Sequence, residues 1–87
     1  MNKQDVRNKI EYFVSQESIN LLELKTFHRQ LEKQNAHDIL VDCDDQVMKD
    51  VEFLTRSAIF LHSLGNNIEE WKLQLNAAIG ILDSVLR

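Results

Sequence analysis

Proline is absent from the chain, glycine occurs twice and cysteine once among 87 residues. The lack of proline removes the residue that most reliably stops or kinks a helix, and the scarcity of glycine leaves few sites for tight turns. A single cysteine cannot form an internal disulfide, which excludes the cross-linked frameworks of small secreted domains. No apolar run approaches the roughly 20 residues that cross a bilayer, and the opening MNKQDVRNK is polar throughout. The expectation is one compact domain over residues 1–87, soluble and cytoplasmic, with no membrane association. A net charge of −4 disfavours nucleic acid as a default partner. A chain of this length buries only about two thirds of its unfolded surface, so its core gains from self-association or from a partner.

What is present is helical periodicity. Apolar residues recur at steps of three and four almost everywhere, so the fold class is all-α, a small antiparallel bundle of three long helices plus one short N-terminal helix. Val6, Ile10 and Phe13 define the short helix, from near Asn2 to about Ser15, and polar SQES breaks it. Asn20 and Glu23 have the spacing of a capping box, with Ile19 and Leu24 as its staple. Leu21, Leu24, His28 and Leu31 then form the apolar face of the second helix, which places His28 at the edge of the core. The third helix runs to Leu64 along a seam of Val47, Val51, Leu54, Ala58 and Leu61, and Gly65 supplies its left-handed stop. Asn67 and Glu70 repeat the capping spacing. Ile68, Trp71, Leu75, Ala78, Leu82 and Val85 carry the fourth helix nearly to Arg87, in a tight hairpin with the third.

The fourth helix has a second stripe, Leu73, Ala77, Gly80 and Ser84, opposite the first. Glycine inside a helix costs about 1 kcal/mol against alanine, and the close approach of another backbone is one reason to accept it. This helix is therefore expected to be covered on two sides, by its own bundle or by a second molecule. Phe53 and Phe60, on a flank of helix three with Ser57 and Leu64, read either as core or as a groove for a partner helix.

Residues 37–45, HDILVDCDD, concentrate chemistry-bearing side chains. His37, Asp38, Asp42 and Cys43 are acceptable zinc donors, but they match no standard ligand spacing. Asp42 and Asp44 resemble the first ligands of an EF-hand loop, yet Val47 stands where glycine is needed and Phe53 where glutamate is needed. No metal and no cofactor is therefore expected, and acidic neighbours disfavour a Cys43 thiolate. Residues 37–52 hold six acids and one base, against eight acids and nine bases in the rest, so all the net negative charge lies in this segment. Aspartates 42, 44 and 45 suit a helix start. With Asp38 they also make an acidic face for a basic protein surface.

One enzymatic pattern remains. RSAIFLH at residues 56–62 resembles the arginine-to-histidine motif of HEPN-family ribonucleases, a resemblance of seven residues. It implies catalysis by Arg56 and His62 at a dimer cleft, with the pair handling phosphate charge and protons. Against it stands the reading preferred here, a non-catalytic protein-binding module acting by surface occlusion. That class includes inhibitors, immunity or antitoxin-type proteins, and secretion co-chaperones or adaptors. The contact residues would be Asp38, Asp42, Asp44, Asp45, Phe53, Phe60, Ala77, Gly80 and Ser84, with a homodimer as a further possibility.

Overall fold

A computed structural model describes residues 1–43, 45–65 and 70–87. Its helices are α1 (Lys3–Ser15), α2 (Leu21–Leu40), α3 (Gln46–Leu64) and α4 (Glu70–Val85), with no strand among the described residues. No helix there is long and apolar enough to cross a membrane.

Each described helix end has a local cause. The Asn2 side chain accepts from the Asp5 N–H at 2.8 Å, and the Asp5 carboxylate accepts in return from the Asn2 N–H, a reciprocal capping box. At α2 only half of the expected box forms: Asn20 accepts from the Glu23 N–H at 3.2 Å, while the Glu23 carboxylate accepts from the Tyr12 hydroxyl. The α2 C-terminus closes through Asp42, whose φ of 58° is left-handed. The Asp42 N–H donates to the Ile39 carbonyl and the Cys43 N–H to that of Asp38, which is a Schellman closure with aspartate in the usual glycine place. Asp42 therefore ends α2, and Asp45 alone is the N-cap of α3, accepting from the N–H groups of Val47 and Met48. Gly65 ends α3 at φ 68° as expected. The Asn67–Glu70 cap and Ile68 lie outside the described residues, as does Asp44.

The core draws on all four helices. Val6, Ile10 and Phe13 of α1, and Leu24, Phe27 and Leu31 of α2, meet Met48, Val51 and Ala58 of α3 and Trp71, Leu75, Ala78 and Leu82 of α4. Each large aliphatic or aromatic side chain so buried contributes about 1.5–3 kcal/mol relative to exposure. Helix α3 packs against α2 and α4, and α1 packs against α4. The Phe13 and Phe27 rings join α1 to α2 with centroids 5.7 Å apart. Polar ties between helices include the Arg7–Asp83 pair at 2.8 Å and the Asn35 amide donating to the Met48 carbonyl at 3.1 Å. The guanidinium of Arg7 also pairs with Glu11, and these two carboxylates, Asp83 foremost, raise its pKa.

The α3 seam is rotated from its expected position. Met48 and Thr55 are buried, whereas Val47, Leu54 and Leu61 are only partly covered. Thr55 is tolerated in the core because its hydroxyl donates to the Val51 carbonyl at 2.8 Å. The expectation that α4 is covered on two sides by its own chain fails: Leu73, Ala77, Gly80 and Ser84 are exposed. A Cβ added at Gly80 would meet nothing within 4 Å, so no backbone among the described residues approaches there. Val85, placed in the α4 seam, is exposed as well.

Candidate functional site

The antiparallel α3–α4 pair sets the heights of its outward residues. Near the end of α3 and the start of α4, the His62 and Trp71 rings meet edge to face at 6.1 Å. Counting back along α3 and forward along α4 from that contact puts Ala58 level with Leu75 and Thr55 with Ala78, all of them buried. The same count puts Phe60 level with Leu73 and Phe53 level with Gly80. Seen down each axis at 100° per residue, these four residues lie opposite the buried stripe of their own helix. Phe53 is 55% exposed, Phe60 61% and Leu73 63%, and Leu64 is exposed beyond them. Each helix thus carries exposed side chains on the side away from its own buried stripe, Phe53, Phe60 and Leu64 on α3 and Leu73, Ala77, Gly80 and Ser84 on α4. Exposed phenylalanine is costly to leave in water, and clusters of it commonly mark interaction surfaces.

The acidic segment stands apart from this face, at the junction of α2 and α3. Asp38 is half-buried on α2, and His37, Asp42 and Cys43 are exposed. Asp45 is occupied structurally, since its carboxylate caps α3 and meets the Lys3 ammonium at 2.6 Å. That hydrogen bond is the main cause of an Asp45 pKa below the usual carboxylate value, partly opposed by burial and helped by the Met48 and Val47 N–H groups. Among Asp38, Asp42, Asp45, Phe53 and Phe60, Asp45 is thus the residue whose side chain both caps a helix and makes an ion pair. Ile39, Leu40 and Val41 are all exposed, so the segment combines charge with apolar surface, a feature that its charge pattern had concealed.

Arg56 and His62 do not share a face. Six residues of helix separate them by roughly 120° about the axis. Arg56 is exposed, with its guanidinium over the Phe53 ring at 5.5 Å and 3.8 Å from Glu52, while His62 packs on Trp71. His28, expected at the edge of the core, gains a partner from another helix in the tertiary fold: its Nε2 lies 2.8 Å from Glu52 of α3. Glu32, one turn along α2, completes the group at 3.2 Å from Nδ1. The spacing of His28 and Glu32 was visible in the sequence, but Glu52 is 24 residues from His28 along the chain.

Compared with known proteins, no family model matches the chain, no curated protein matches its sequence and no solved structure matches its fold.

Proposed function

We propose that this protein is a non-catalytic binding module that covers a surface on a partner protein, as an inhibitor, an immunity or antitoxin-type protein, or a secretion co-chaperone or adaptor does. The observation that carries this reading is the exposure of four large apolar side chains, Phe53, Phe60 and Leu64 on α3 and Leu73 on α4. Aromatic anchors of this kind contribute affinity once desolvated, and the small residues Ala77, Gly80 and Ser84 leave room beside them for a partner's side chains. The acidic segment that includes Asp38, Asp42 and Asp44 would steer a basic surface toward the protein. Its working form would be a cytoplasmic antiparallel bundle, three longer helices with the 13-residue α1 as the short one. A second copy of the chain is the competing occupant of the apolar face.

The test compares wild type with a Phe53→Asp/Phe60→Asp double variant. Both should give the same helical circular dichroism and melting curve, and the variant should lose a partner that immobilised wild type retains from its source cell. Sedimentation of purified wild type detects self-association through the same face. A partner retained equally by both proteins would remove this face from the reading.

The second reading keeps the ribonuclease. In its favour Arg56 is exposed beside Phe53, on the edge of a face that a dimer would bring together. RNA cleavage by wild type that Arg56→Ala or His62→Ala abolishes would establish it and displace the binding module.

A further inference from the structure

Three side chains from two helices converge where α2 meets α3. The donor atoms of His28, Glu32 and Glu52 all lie within 4.8 Å of one another. His28 and Glu52 are largely withdrawn from solvent, at 12% and 15% side-chain exposure, while Glu32 is half exposed. Two carboxylates at such separation repel unless a cation lies between them, and His28 offers either a proton or a lone pair for that purpose. Nε2 of His28 lies 2.8 Å from Glu52, somewhat inside the roughly 3.3 Å between ligands of a tetrahedral zinc ion with bonds of about 2.0–2.1 Å, while Glu32 lies 3.2 Å from the other ring nitrogen, Nδ1.

We propose that His28, Glu32 and Glu52 bind a divalent ion of the zinc type, clamping α2 to α3. Nε2, the nitrogen that already faces Glu52, supplies the ring's lone pair. The exposed Glu32 carboxylate re-aims from the Nδ1 side of the ring to the Nε2 side, the ligand atoms of the three residues already lying within 4.8 Å of one another, and water takes the fourth position. One nitrogen and two carboxylate oxygens suit zinc, whereas calcium and magnesium favour all-oxygen sets. Arg56, 3.8 Å from the second Glu52 oxygen, holds that carboxylate from outside, and the solvent side at Glu32 is the way in. The proposal is independent of the binding-module reading.

Calorimetric titration of the purified chain with zinc chloride, with magnesium chloride as control, tests it beside melting curves. We expect one zinc per chain, no magnesium binding, and a higher melting temperature with zinc. Glu52→Gln and His28→Gln should weaken zinc at least about tenfold. Glu32→Gln should do so with the metal-free melting curve unchanged, which separates ligand loss from unfolding. A His37→Asn/Cys43→Ser variant should bind as wild type does, because those exposed donors lie elsewhere. Absence of one-to-one binding below millimolar zinc would overturn the site, leaving a salt-bridged histidine. Zinc bound by Glu32→Gln as by wild type, or lost in the His37→Asn/Cys43→Ser variant, would overturn it equally.

Discussion

The Lys3 ammonium lies 2.6 Å from the carboxylate of Asp45, tying the first turn of α1 to the start of α3 across 42 positions of sequence. The same carboxylate caps α3. One side chain thereby serves a local and a tertiary purpose, and two substitutions separate them.

Asp45→Asn retains a capping oxygen but loses the charge, whereas Asp45→Ala loses both. The alanine variant should be less stable by about 0.5–2 kcal/mol from the cap alone. Because folding lowers the Asp45 pKa below its ordinary 3.8, the charge contribution is present above that value and fades as pH falls through the folded pKa. The deficit of Asp45→Asn against wild type should therefore be visible near neutrality and shrink below about pH 4. Urea titrations across pH measure it. A deficit that grew on acidification would contradict the pairing.

Core and outward face should answer differently to the same truncation. Ile10→Ala removes a fully buried side chain and should cost about 2–5 kcal/mol. Phe60→Ala acts on an exposed ring, and its cost should stay within about 0.5 kcal/mol. Equal losses on denaturation would mean that Phe60 is packed.

Gly80 provides a sign test. With open space around the added methyl, Gly80→Ala should stabilise the monomer by about 0.5–1 kcal/mol through backbone entropy. A lower melting temperature together with an unchanged sedimentation coefficient would show a close intramolecular approach.

Thr55→Val should change stability by less than about 1 kcal/mol. The hydroxyl donates only to the Val51 carbonyl one turn back, and its loss leaves no buried donor unpaired while adding apolar volume of nearly the same shape. Thr55→Ala should cost more, because it also opens space in the core.

The acidic segment is testable once a partner is in hand. Asp38→Asn with Asp44→Asn should slow association and flatten its dependence on salt, with little change in dissociation, since screening acts over about 8 Å at physiological ionic strength. An unchanged association rate across a salt series would reduce the segment to a helix start.

Much of the architecture was legible from sequence for local reasons. Val6, Ile10 and Phe13 recur at steps of four and three, and all three are fully buried. Gly65 stops α3 because a left-handed residue needs no Cβ there. Such features depend on a few consecutive residues and their backbone preferences, so one chain suffices to read them. What periodicity leaves open is how far each helix is turned about its axis. It offered Val47, Leu54 and Leu61 where packing chose Met48 and Thr55, since neighbouring stripes on one helix differ by less than a turn and only the opposing helix selects between them. Whether the bundle itself covers Gly80 was open for the same reason: a small residue looks alike whether a backbone approaches it or water does. The grouping of His28 and Glu32 with Glu52 exists only after the helices have packed. It joins residues far apart in sequence, and no local preference encodes the distance between them.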